Sequence, residues 1–140
     1  MACSLLLKMQ AKKHSAIRKQ SAGFADGAAL FKALAHPVRL QIIHVLAQGE
    51  ACVCHMQVLL GKRQPYISQQ LMVLREAGLV EDRRDGAMVY YRLASEEVSQ
   101  TLTWMEAELA RQGHPISLPP VPQGPLEGCP CAQCNEEGCS

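Results

Sequence analysis

Apolar residues recur every three to four positions through most of this chain, and the gaps between the runs carry helix-stop residues. Residues 4–20 predict a basic first helix, with Lys8, Lys12, Lys13, Arg18 and Lys19 on its polar side. Its apolar face is weak, so it needs a partner helix to be stable. Asp26 is placed to cap a second helix over residues 26–35, where Leu30, Phe31 and Leu34 have helical spacing. Pro37 stops that helix and suits the first turn of the next, whose stripe is Val38, Ile42 and Val45 up to a break at Gly49. A short helix over residues 52–60 ends at Gly61. Lys62, Arg63 and Gln64 make a turn, and Ile67, Leu71 and Leu74 stripe a helix that opens near Pro65 and closes at Gly78. Two helices joined by a tight, glycine-containing turn form a helix-turn-helix.

The period then shifts from helix to strand. Residues 79–84 and 87–93 read as two strands around Asp85-Gly86, a strong hairpin signal. Ser95 with Glu96 and Glu97 opens a last helix, striped by Val98, Leu102, Met105 and Leu109 and ended by Gly113. Prolines at 115, 119, 120, 122 and 125 follow, which predicts an extended stretch outside the core. The order gives a mainly α fold with a β-hairpin wing, a winged helix-turn-helix. Residues 1–112 are expected to form the winged helix-turn-helix domain, 113–128 a Pro-rich linker and 129–140 a Cys-rich tail.

Composition and charge sharpen this picture. Hydrophobic residues make up 48% of the chain and aromatics only 4%, so the core is aliphatic and favours helices. No apolar run approaches the roughly 18 residues of a membrane span. No signal-peptide pattern precedes the fold, so a cytoplasmic protein is expected. The small net charge hides a division: residues 1–94 hold 13 Lys and Arg against 6 Asp and Glu, and residues 95–140 hold 1 against 7. A basic body fits a polyanion-binding domain, since Lys and Arg displace condensed counterions from DNA. On the second helix of the helix-turn-helix, Ser68, Gln69 and Met72 face away from the buried stripe. Gln69 can pair bidentately with adenine, and Ser68 can reach base edges or phosphate. Gln64 and Tyr66 sit near the helix N-terminus, which favours a phosphate. Lys62 and Arg63 suit phosphate contacts that set register, and Arg83 and Arg84 on the wing suit backbone or minor-groove contacts.

Seven cysteines in a chain of this kind point to thiols and metal ligands rather than a disulfide framework. Cys3 stands alone, Cys52 and Cys54 form a pair beside His55, and Cys129, Cys131, Cys134 and Cys139 crowd the end. Closely spaced thiolates grip soft ions. Two positions on a regular helix differ by about 200° of rotation. An intact helix therefore holds Cys52 and Cys54 apart, and an ion binding both must open its first turn. A helix N-terminus also predicts depressed thiol pKa values there. The tail spacing suits a thiolate cluster, though it lacks the second half of a zinc-ribbon repeat. There is no Ser/His/Asp arrangement, phosphate loop or paired-carboxylate cleft, which argues against an enzyme.

Several ordered blocks within about residues 28–94 resemble the ArsR/SmtB family of metal-responsive repressors. They are Leu34-Ala-His-Pro-Val-Arg-Leu40, Gly49-Glu-Ala-Cys-Val-Cys54, Gln64-Pro-Tyr-Ile-Ser-Gln-Gln-Leu71, Leu74-Arg-Glu-Ala-Gly-Leu-Val80 and Tyr90-Tyr-Arg-Leu93. The resemblance implies a homodimer joined through its first and last helices, bound to a palindromic operator in double-stranded DNA and released by an inducer. His55 stands where the arsenic- and cadmium-sensing branches usually show Asp. Further ligands can come from His55, from Cys3 across the dimer (an arrangement similar to the cadmium/lead-sensing branch), or from the tail. The expected inducers are As(III) or Sb(III) first and Cd(II) or Pb(II) second. The last helix lacks the His and Asp spacing of the zinc-sensing branch, which disfavours Zn(II). Two other readings compete: a repressor of the same fold sensing thiol oxidation or persulfide, and a metal-buffering protein dominated by its tail.

Overall fold

The computed structural model describes residues 21–132 and Cys134. The expected helix over residues 4–20 lies outside the described residues, as do Cys3 and Cys139. Of the described residues, 21–32 belong to one unit and 33–132 with Cys134 to another. Helix α1 spans Ser21–Leu34. Asp26 lies inside it and caps nothing, because Ala22 and Ala25 carry helical backbone past the expected start. Phe24 and Phe31 on α1 are exposed.

From Ala33 the chain builds one aliphatic core. His36 precedes Pro37, which forces extended backbone (φ −154°, ψ 128°), and its Nδ1 accepts the Val38 N–H at 3.3 Å to cap helix α2, Pro37–Ala47. Ile42 and Ile43 of α2 are fully buried. A two-residue strand β1, Ala51–Cys52, leads into helix α3, Val53–Leu60, which ends on Gly61 at φ +60°. That left-handed backbone favours glycine and turns the chain into helix α4, Gln64–Glu76, with Pro65 in its first turn. Ile67, Leu71 and Leu74 of α4 are completely buried, as the periodicity requires, with Met56 of α3 beside them in the core.

Strands β2, Val80–Asp85, and β3, Met88–Leu93, pair antiparallel from Val80↔Leu93 to Asp85↔Met88. The two-residue loop is therefore Gly86-Ala87, one position later than expected. Gly86 takes φ +59° and, among the described residues, no non-glycine residue has positive φ, the pattern of a type II′ turn, which needs glycine only at its first central position. The sheet order is β1-β3-β2, so β3 is central. Helix α5, Glu96–Arg111, follows the extended Ser95 and packs against α2 through its Val98/Leu102 side. No helix among the described residues is long and apolar enough to cross a membrane.

The Pro-rich stretch has no regular secondary structure, yet it is not free of the core. Leu118 and Val121 pack against the main cluster, and Leu126 packs against a second one. The Pro119 carbonyl lies 2.6 Å from His44 Nε2, and the Leu118 N–H donates to Glu106 Oε1 at 3.4 Å. An extended chain makes no internal backbone ladder, so its polar groups bond to the helices while its apolar side chains fill the groove between them.

The core assignment predicts a sharp contrast on α4. Leu71→Ala should lower the unfolding free energy by about 2–5 kcal/mol, and Met72→Ala, one position away but exposed, by under about 0.5 kcal/mol. Urea unfolding at fixed protein concentration reads the difference.

Candidate metal centre and nucleic-acid interface

Cys52 is not part of a helix. It pairs with Tyr90 in the sheet and takes extended backbone (φ −83°, ψ 166°) as the N-cap of α3, with Cys54 in the first helical turn. Its Sγ accepts the His55 N–H at 3.3 Å, filling the role that a Ser or Asp oxygen usually plays. The rotation that separates two thiols on one regular helix therefore does not apply: the two sulfurs lie 2.6 Å apart. Convergence of the pair needs no unwinding of α3.

The tail closes over this pair. Gly128 turns the chain at φ +86°, and the Cys129 N–H bonds to the Leu126 carbonyl at 3.1 Å. Cys129 Sγ then lies 3.5 Å from Cys54, 4.0 Å from Cys52 and 3.4 Å from Cys131. The Cys134 N–H bonds to the Cys131 carbonyl at 3.0 Å, and Cys134 Sγ lies 3.2 Å from His55 Nδ1. Two groups of donor atoms result, Cys52/Cys54/Cys129/Cys131 and His55/Cys129/Cys131/Cys134, each within 4.8 Å of one another. Tyr90, Met88 and Leu126 pack around the sulfurs, and all five described cysteines are free thiols.

Burial controls the protonation of this cluster. It pushes the Cys52 thiol up to about 12, helped by the Cys54 hydrogen bond and opposed by the His55 N–H. Burial also drives Cys129 far above the usual thiol value. Burial works to raise Cys131 too, but hydrogen bonds with Cys129, Cys134 and Cys52 hold it below its ordinary value. The expected depression of the Cys52 thiol by the helix N-terminus is thus overridden by loss of water. Burial lowers the His55 pKa, which favours the neutral imidazole that ligates metals. The donor set fits a soft ion. With metal–sulfur bonds of about 2.3 Å, a tetrahedral site has sulfur–sulfur edges of about 3.8 Å. The three contacts of Cys129 bracket that edge, while Cys52 and Cys54 must part by about an ångström to hold one ion.

The expected DNA-reading residues divide by exposure. Lys62, Arg63, Gln64, Gln69 and Arg84 are exposed, and among the described residues no ion pair engages Lys62, Arg63 or Arg84. Tyr66 is half-buried with its ring against the core. Ser68 is half-buried and, with Gln64, lines a cavity of about 370 Å³ whose other walls include Cys52, Cys54, Met88 and Pro130. Arg83 is already engaged. It donates to both Glu50 carboxylate oxygens, lies 3.5 Å from Asp85 and stacks 5.0 Å from the centre of the Tyr90 ring. Its hydrogen bonds hold the Glu50 carboxyl below the usual range. The residue pattern did not reveal β1 or the places of Tyr90 beside the thiols and Pro130 at the cavity wall; a two-residue strand is too short to show alternation, and these contacts join distant parts of the chain.

The family model for bacterial regulatory proteins of the arsR family matches residues 36–82, the stretch from the α2 cap into β2. The biofilm growth-associated repressor of Agrobacterium fabrum is 48% identical over 75 residues, which cover 54% of this chain and 64% of that protein. The chain thus spans under two thirds of that relative's length. The arsenical resistance operon repressor of Escherichia coli is 48% identical over 66 residues, 46% of this chain and 56% of that protein. Among solved structures, a homodimeric winged helix-turn-helix DNA-binding domain from Mycobacterium bovis, described as a possible ArsR-family transcriptional regulator, superposes with a TM-score of 0.60. It is 35% identical and covers 71% of this chain and 94% of that one. The order of helices, the hairpin wing and these matches agree, and the chain belongs to the ArsR family of transcriptional regulators.

Proposed function

We propose that this protein is a homodimeric repressor that binds a palindromic operator in double-stranded DNA and is released by a thiophilic metal or metalloid. As(III) or Sb(III) comes first as inducer and Cd(II) or Pb(II) second. One observation carries the reading: Cys52 is at once the cap of α3, a rung of the sheet beside Tyr90, and a member of the thiol cluster. An ion that parts Cys52 from Cys54 pushes on the first helix of the helix-turn-helix and on the inner strand of the wing together. Gln69 and Ser68 on α4 read bases, and Lys62, Arg63, Arg84 and the start of α4 at Gln64 and Tyr66 hold phosphates.

Dimerisation uses the helices at the two ends of the fold. Trp104 on α5 is 62% exposed, an apolar surface that a second copy would cover. Three of the clustered thiols satisfy As(III), and four satisfy Cd(II) or Pb(II). Four thiolates also accept Zn(II), so zinc belongs among the ions tested. The protein acts in the cytoplasm, where its DNA is.

The 2.6 Å approach of Cys52 and Cys54 supports a second reading, in which an oxidant or persulfide joins cluster thiols and releases DNA. Peroxide or polysulfide that releases DNA reversibly with reductant, while metals do nothing, selects that reading.

Two predictions follow from the metal reading. Arsenite or Cd(II), added under reducing conditions, should weaken operator binding by about 5–150-fold in fluorescence anisotropy. The Cys52→Ser/Cys54→Ser variant should bind the same duplex and stay bound; its release at the same inducer concentration would refute the site. Separately, Arg84→Ala should flatten the slope of log K against log salt by about 0.9, the loss of one phosphate contact. Arg83→Ala should leave that slope unchanged, because its guanidinium is already paired with Glu50.

A further inference from the structure

The thiol cluster holds more donors than one ion can use. Cys52, Cys54, Cys129, Cys131, Cys134 and His55 contribute six ligand atoms, and a tetrahedral ion takes four. The six are not spread evenly. They form two groups of four that share Cys129 and Cys131. Two four-coordinate ions that share two ligands need six in all, the number and arrangement found here.

Resting on the metal-sensing reading above, we propose that each protomer holds two divalent thiophilic ions bridged by the Cys129 and Cys131 thiolates. Cys52 and Cys54 complete the inner ion. His55 and Cys134 complete the outer one. The bridging sulfurs lie 3.4 Å apart. With metal–sulfur bonds of about 2.3 Å, such a shared edge sets the ions about 3.1 Å apart, short enough for direct coupling through sulfur.

Charge and access support two ions over one. Cys52, Cys129 and Cys131 are buried, so excess negative charge there is costly. One divalent ion on four thiolates leaves a net charge of −2, whereas two ions on five thiolates and a neutral imidazole leave −1. His55 and Cys134 are half-buried, so the outer ion sits on the open side and exchanges more readily. The docked Leu118, Val121 and Leu126 hold the tail thiols beside the core pair, which raises their effective concentration there. Three-coordinate As(III) cannot use the full set, so the second ion distinguishes divalent cations from arsenite.

The test uses the full chain carrying Cys3→Ser and Cys139→Ser, titrated anaerobically with Co(II) alone. Native mass spectrometry counts ions per protomer, and electron paramagnetic resonance reports their spins. Two ions are expected, with the signal growing to one equivalent and falling toward the second as the bridged spins couple. Adding His55→Ala and Cys134→Ser should reduce capacity to one ion with its signal retained and the far-ultraviolet circular dichroism unchanged. One ion in the starting protein overturns this proposal and leaves the sensing reading standing. Two ions with additive signals overturn the bridge. No bound ion overturns the proposal, whereas the sensing reading falls only if arsenite and Cd(II) also fail to release the operator.

Discussion

Two rungs of β-sheet govern the rest of this structure. Ala51 pairs with Tyr91 and Cys52 with Tyr90, and these pairs hold the backbone at Cys52 extended up to the first residue of α3. Were α3 to begin one turn earlier, Cys52 and Cys54 would point to different sides of a helix. Held in the sheet, Cys52 turns its sulfur onto the helix end and meets Cys54. The same rungs join the wing to the helix-turn-helix, because β3 pairs with β1 on one side and β2 on the other. A chemical event at Cys52 is therefore mechanically close to both the helix-turn-helix and the wing, the elements proposed to read DNA.

The tail depends on a second, apolar constraint. Bringing Cys129 back to a residue 77 positions earlier costs closure entropy, which grows only slowly with length. Contacts along the linker offset it piecemeal: Leu118 and Val121 in the main core, the Pro119 carbonyl at His44, and Leu126 beside the sulfurs. Pro130 then stands with Gln64 and Ser68 around one cavity, so the tail borders the recognition helix as well as the thiols.

Periodicity and punctuation revealed most of the fold. The Ile67/Leu71/Leu74 stripe, the left-handed Gly61 and the early Pro65 fixed α4, and Gly86 marked the wing to within one residue. The Cys52/Cys54 pair and the tail thiols were visible as soft donors, and their meeting was one of three ligand sources left open. It depends on contacts between residues 75 or more apart, which no local pattern encodes. The helix assigned to Cys52 failed because a two-residue strand shows no alternation. Arg83 read as a free wing cation because Glu50, its partner, lies 33 positions away in another element. Tyr66 read as surface because a half-buried aromatic at a helix start obeys both patterns.

One soft-metal site and one DNA surface are proposed to bias the same element. Such coupling is reciprocal: if the ion weakens DNA binding by a given factor, DNA must weaken ion binding by the same factor. The most direct measurement is Cd(II) affinity, by competition with a chelator, for the free protein and for the protein saturated with operator duplex. Cd(II) should bind more weakly in the complex, by the factor that Cd(II) imposes on the duplex. Equal affinity in the two states would contradict it.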